Sequence, residues 1–466
     1  MKKGAISITP AARRYALQEL CRRAGLLGHE WRVEHSADRR TLTLISNPAA
    51  SAEIDFPAFD EELDPALCVQ KSWPFDPPVS QAAVVPNFII PYARTGSIPG
   101  QPLFLEISPH GFRCTEDLLA SIVLVLSRFE EIHAQRHDEH GRSRAVDSLA
   151  VRDGYLQRPI VDEYALALQQ LLQTLIPAWT PPPRALRVKL SHDIDEVGIP
   201  FTLRETAGHL LHRAPKLALH DLLSLATETR PGNLVQVVAI CLEAKQRGLH
   251  SALYWKASAK TSFDSGYDLA DSRVREVIEW ARNHDLELGV HPGYQTFQSP
   301  PDLEAEVSRC RTVLGPGPIG GRQHYLRWSP ETWQHWEQCG LAYDSTVGYA
   351  DRVGFRAGTC WPYAPWLWNQ DRPAHLLEIP LVVMDRTLAA SVYMSMTPGE
   401  SLAALRKLLR NCQAVGGVFT LLWHNSCLTH PWSAYYPQIF DELSGLTNYD
   451  WKPDFKNLSA MLPASQ

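Results

Sequence analysis

The sequence predicts an α/β protein in two parts, a smaller α+β region over residues 1–180 and a strand–helix repeat over 185–466. Three observations carry this reading. After residue 185, short apolar runs alternate with helical patterns, which implies a parallel sheet or barrel with buried strands. Pro177, Pro181, Pro182 and Pro183 punctuate the chain just before that series begins and mark the best boundary. Finally, the polar residues of the second part fall at one end of its apolar runs.

At 466 residues the chain has room for two or three cores. A net charge of −6 at pH 7 leaves no basic footprint for nucleic acid and no polybasic membrane patch. Nine cysteines, with no CxxC pairing, suit reduced thiols. The first residues, MKKGAISITPAARRYALQEL, lack an apolar signal-peptide core, and Leu118–Leu126 is too short to span a bilayer. The expected location is the cytoplasm.

In the first part, residues 10–27 read as a helix ending near Gly25 and Gly28. Trp31–Ile45 reads as a strand. Ser72–Val79 and Ile98–Pro102 read as irregular connections, and Val84–Tyr92, broken by two prolines, as an edge strand. Thr115 is a candidate cap for a helix from Glu116 to about Ala134. Arg136–Ser143 reads as a solvated loop, although His133, His137 and His140 raise the thought of a metal. Pro159–Ile176 carries an apolar stripe at helical spacing.

In the second part, Leu186, Val188 and Leu190 alternate with Arg187 and Lys189 as in a half-buried strand. This strand runs into Ser191, His192, Asp193, Ile194 and Asp195. Taken alone, the two acids read as an acidic turn. With a divalent cation beside them, both could stay ionised and divide the work of ligand and base. Further runs follow at Ser251–Lys256, Glu287–His291, Gln323–Trp328, Ala342–Thr346, Leu377–Met384 and Val418–His424. His291, Arg322, His324, Arg327, Asp344 and His424 lie at or beside their ends, where the active face of a β/α barrel is built. Tyr349–Tyr363 reads as a long loop, carrying Asp351, Arg352 and Arg356, that serves as a lid or substrate contact.

SHDID, ELGVHPGYQT, GGRQHYLRW, GLAYDST and LLWHNS, in this order, resemble the polysaccharide deacetylase domain (NodB homology, carbohydrate esterase family 4). The resemblance runs from about Leu186 to the end of the sequence. The first part, through LSRFEE, DEHGR and DSLAVRDGYLQRPIVDEY, is similar to the uncharacterised region that accompanies one bacterial branch of that family. The resemblance implies a distorted (β/α) barrel, a divalent metal, usually zinc, and hydrolysis of an N-acetyl group on a sugar or polysaccharide precursor. It implies Asp193 as general base, Asp195 and His291 as metal ligands, Arg322 as the arginine that orients the base, and His424 as the acid that protonates the amine. Tyr294, Tyr325, Arg327, Asp344, Arg356 and Trp423 are the candidate substrate contacts. Trp328, Trp361, Trp366 and Trp368 join Trp423 as candidate sugar-stacking residues.

One position departs from the family pattern. A second metal histidine belongs four residues after the first, and Gln295 stands there. The third ligand is then His324 or water, or else the metal is weak or absent. Two other readings stay open: a hydrolase of another amide or a cyclic imide on the same scaffold, and a non-catalytic glycan-binding protein.

Overall fold

Parallel strands of the second part frame the candidate site. The computed structural model describes residues 8–461 apart from 27–30, 36–39, 45–52, 59–62, 65–66, 73–86, 110, 135, 198–232, 258–260, 265–266 and 428–434. Arg187–Ile194 is central. Ser251–Trp255 pairs with it on one side and Val418–Leu422 on the other, both parallel. Glu287–Val290 and Val383–Met384 extend the sheet outward on the two sides. Single bridges through Gly321 carry the frame from Val290 to Asp344, and Tyr343–Asp344 pairs in parallel with Leu377–Glu378. Every residue of Ser251–Trp255 and Val418–Leu422 is buried, which explains their largely apolar character. Helices such as Ser272–Asn283, Pro300–Leu314 and Pro398–Val415 connect successive strands; the last opens with a capping box, Thr397 with Glu400.

The expected barrel is not closed among the described residues. Leu377–Glu378 and Val383–Met384, the two ends of the frame, follow one another in the chain, and no ladder joins them. Ile379–Val382 crosses between them with isolated bonds: Ile379 N–H donates to the Asp344 carbonyl, Leu381 N–H to Val347 and Val382 N–H to Thr420. Pro380 has no N–H to give, so the run that reads as one strand splits in two. Gln323–Trp328 is also no strand. It turns through His324–Leu326, with Tyr325 at φ 62° and Leu326 at φ 55°.

In the first part, helix Pro10–Ala24 is capped by Thr9 and stopped by Gly25 in the left-handed region. It packs on helices Leu118–Leu126 and Ile160–Leu175. Beside them lies a sheet ordered Trp31–His35, Arg40–Leu44, Glu53–Asp55, Gly111–Cys114 and Phe104–Ser108. Most of Ser72–Val79 and the first residues of Val84–Tyr92 lie outside the described residues; Asn87–Ile90 pairs with Val69–Ser72. The cap before Leu118 is Asp117, not Thr115, whose hydroxyl donates to the Pro102 and Leu103 carbonyls. The helix stops early because Arg128 sits at φ 55°. All nine cysteines are free. No helix among the described residues is long and apolar enough to cross a membrane.

The two parts share a polar seam. Asp162 accepts from Thr359 Oγ1 at 2.6 Å and from Cys360 N–H at 2.8 Å. Tyr15 donates to the Ala364 carbonyl at 2.6 Å, and Glu131 pairs with Arg356. Residues 353–360 are buried. The segment read as a lid is therefore the surface on which the first part is seated.

Candidate active site

The C-terminal ends of the parallel strands place polar side chains on one rim. Asp193 and Asp195 lie at the end of the central strand, Lys256 directly after Ser251–Trp255, and His291 directly after Glu287–Val290. Arg322 follows the Gly321 bridge, Asp385 follows Val383–Met384, and His424 follows Val418–Leu422. Gly321 is required for this close approach, since a Cβ there would meet the Val290 carbonyl oxygen at 1.8 Å.

Three ligand-type atoms converge. Asp195 Oδ1 lies 3.4 Å from His291 Nε2 and 3.5 Å from His324 Nε2, and all three atoms lie within 4.8 Å of one another. His291 Nδ1–H donates to the Arg322 carbonyl at 2.7 Å, and His324 Nδ1–H donates to Asp264 Oδ1 at 2.8 Å. These bonds turn both Nε2 lone pairs toward the Asp195 carboxylate, the arrangement that outer partners impose on metal-ligating histidines. Lone pairs facing a carboxylate repel it unless a cation lies between them; the Lys256 ammonium meets His324 Nε2 at 2.9 Å and Asp195 Oδ1 at 3.2 Å, which leaves the His291 lone pair unmatched. His291 Nε2 is buried with no hydrogen-bond partner. Two ligands about 2.1 Å from a tetrahedral ion lie about 3.4 Å apart, so this His₂Asp set fits a divalent ion. Gln295, by contrast, is exposed and heads a short turn, while His324 stands on the inner side.

Acid and base candidates flank this group. Arg322 Nη1 donates to Asp193 Oδ1 at 2.8 Å, and its Nη2 to Ser191 Oγ at 3.0 Å. Asp193 Oδ2 lies 3.7 Å from His291 Nδ1. On the other side His424 Nε2 is 3.8 Å from Asp195 Oδ2, and its Nδ1–H donates to Asp385 Oδ1 at 2.6 Å. Burial works against a charged His424, but Asp385 prevails and raises its pKa. Burial also opposes ionisation of Asp195, yet the Lys256 ammonium and His424 beside it help to hold its pKa well below the usual range. Burial takes His324 down to about 4, so it is neutral at pH 7.

Of the other sequence-derived candidates, some lie in the core or at the seam, and Tyr294, Tyr325 and Arg327 lie at the rim. Arg356 is buried against Glu131 and the Gly348 carbonyl. Trp423 is wholly buried beside Tyr436, and Trp328 packs on Trp333. Trp366 packs on Tyr15, Trp368 on Phe129, and Trp361 faces Arg22 and Arg184 at the seam. Asp344 is buried opposite Glu378, where burial raises both carboxyls and the Asp344 carboxylate raises Glu378 further. Arg327 lies over the Tyr294 and Phe297 rings, with Tyr294 and Tyr325 at the rim. The loop read as solvated is docked there too. His140 Nδ1 lies 3.1 Å from Tyr294 Oη, and Arg142 donates to the Tyr325 carbonyl at 2.9 Å. Its histidines form no metal cluster among the described residues.

Sequence reasoning missed Lys256, Asp264 and Asp385. Lys256 and Asp385 each directly follow an apolar strand, at the same end as the residues that were found, and that position was their signal. Asp264 lies outside any periodic segment and had none.

The profile of a family described as a family of unknown function (DUF7033) matches residues 6–177. No curated protein matches the chain. Among solved structures, it is similar to a Mycobacterium smegmatis protein described as a polysaccharide deacetylase, at 15% identity over 62% of this chain and 96% of that one, with a TM-score of 0.41. A Bordetella bronchiseptica protein, described as a polysaccharide deacetylase involved in O-antigen biosynthesis, matches at 14% identity over 59% of this chain and 91% of that one, with a TM-score of 0.26.

Proposed function

We propose that the chain is a metal-dependent hydrolase that removes N-acetyl groups from a sugar or a polysaccharide precursor. The observation that carries this reading is the convergence of Asp195 Oδ1, His291 Nε2 and His324 Nε2 between a base candidate and an acid candidate. The ordered motifs that resemble the deacetylase domain support it, since they contain Asp193, Asp195, His291, Arg322, His324 and His424.

A divalent ion held by Asp195, His291 and His324 would polarise the acetamide carbonyl and acidify a water. Arg322 occupies Asp193 Oδ1 and orients the carboxylate, leaving Oδ2 to accept the proton of the attacking water. His424 enters as the cation, with Asp385 holding its Nδ1–H, and delivers the Nε2 proton to the departing amine. Acetate and an amino sugar result. An open cavity of about 530 Å³ is lined by residues that include Arg142, Asp351, Arg352 and Tyr393, and its Arg142 also donates to the carbonyl of Tyr325 at the rim, so it offers room for the rest of a glycan. We also place the division between the two parts near residue 180, a reading supported by the family match that ends at 177.

Elemental analysis of the purified protein, beside Asp195→Ala and His291→Ala, tests the site. One divalent ion per wild-type chain, lost in both variants, is the expected result, and acetate release from N-acetylated amino sugars should follow it. A wild type that takes up no ion from excess zinc would overturn the reading.

A further inference from the structure

We propose that Lys256 is a cation built into the metal site, where its ammonium competes with the divalent ion for Asp195 and His324. This inference rests on the metal reading above and adds a residue to it that neither the motifs nor the family match assigns.

The position of the lysine is fixed from both ends. Its backbone N–H donates to Tyr267 Oη at 2.8 Å, and Tyr267 in turn donates to the Ile194 carbonyl at 2.9 Å, which pins residue 256 beside the end of the central strand. Its side chain is 2% exposed. Nζ lies 3.2 Å from Asp195 Oδ1 and 2.9 Å from His324 Nε2, two of the three ligand atoms.

These contacts exclude those of a metal. An imidazole nitrogen has one lone pair. Because His324 Nδ1 carries the proton given to Asp264, Nε2 can accept from the ammonium or bind an ion, but not both at once. An ion about 2.1 Å from Nε2 would also lie within about 5 Å of Nζ, and in a buried site that repulsion is poorly screened. Metal entry therefore requires the ammonium to leave His324. Without metal, the same ammonium neutralises Asp195 and fills the lone pair of His324, so the site keeps its shape. The lysine thus weakens metal affinity relative to a His₂Asp site that lacks it.

The test uses the full chain, stripped with a chelator and titrated with Zn²⁺ and Co²⁺ by calorimetry, with thermal melts alongside. Lys256→Met keeps the length of the side chain and removes its charge, Lys256→Gln is a second neutral variant should the first fail to fold, and Lys256→Arg keeps a cation. The neutral variant should bind Zn²⁺ at least about tenfold more tightly than wild type, with a larger rise in melting temperature on adding the ion, while Lys256→Arg gains nothing. A folded neutral variant that binds no more tightly than a metal-binding wild type would overturn the inference and leave the metal reading standing. A variant that loses metal outright would make Lys256 a ligand, and also overturns it. Binding by the neutral variant where wild type binds none would support the lysine's role while removing the metal from the native enzyme. If neither binds, both readings fall.

Discussion

Glu131 offers the sharpest test of the seam that seats the first part against the second. Its carboxylate is 4% exposed and sits between two guanidiniums that are each 2% exposed. Arg128 gives it Nε at 2.9 Å and Nη2 at 2.6 Å, and Arg356 gives it Nε at 3.0 Å as well as Nη2. Burial alone would raise the Glu131 pKa, but the two arginines bring it from 4.5 down to about 2. Glu131→Gln keeps the shape and removes the charge, leaving Arg356 chiefly with the Gly348 carbonyl. Two routes give the cost. Removing one member of a buried ion pair costs about 3–5 kcal/mol. The pKa displacement, at 1.36 kcal/mol per unit, corresponds to about 3 kcal/mol. Urea unfolding at pH 7 should therefore show a loss of about 3 kcal/mol. Because the folded pKa is depressed, this contribution is complete above pH 4.5 and disappears as the pH falls toward 2, so wild type and variant should converge in acid. A loss below about 1 kcal/mol at pH 7, the scale of an exposed pair, would refute the argument.

Three further predictions follow from the site and its frame. Asp385→Asn removes the group that raises the His424 pKa; histidine NMR should show His424 titrating at least about one unit lower, and the alkaline limb of any acetate-release profile should move to lower pH, because the acid must be protonated to act. Burial holds His192 at about 4, as it does His324, against about 6.5 in the unfolded chain; stability is therefore full above pH 6.5 and should fall by about 3 kcal/mol for each of them as pH drops to 4, and His192→Gln should flatten that decline in pH-dependent unfolding. Gly321→Ala drives a Cβ into the Val290 backbone and should cost about 1–3 kcal/mol or more, read as a lower melting temperature, together with weaker zinc binding because Arg322 and its carbonyl on His291 are displaced.

The parts of the fold and site that were legible share one property: they follow from chain direction. Parallel strands deliver their C-terminal residues to one rim whatever the intervening helices do, so Asp193, Asp195, His291 and His424 could be grouped from their places at the ends of apolar runs, while Arg322, which precedes the run read at Gln323–Trp328, was marked by its motif. Lys256 obeys the same rule but was read only as the last residue of its run; only the structure shows it 2% exposed against Asp195 and His324. Other side chains were misread for the opposite reason. Arg356 and the 136–143 loop are charged, and charge in a sequence reads as exposure, but both gain partners from distant residues, Glu131 and Tyr294 among them. Such pairings span more than 150 residues of chain and leave no local period. Among the described residues no ladder closes the barrel at the last-but-one apolar run, where Pro380 has no N–H to give. Gln295 follows the same logic from the other side. The sequence shows a ligand position lost, whereas the turn at Tyr325 and Leu326 carries His324 to the rim from a neighbouring unit. On the proposed reading, a substitution in one motif is answered by a side chain in another, and metal content of the wild type decides whether the site has been lost or rebuilt.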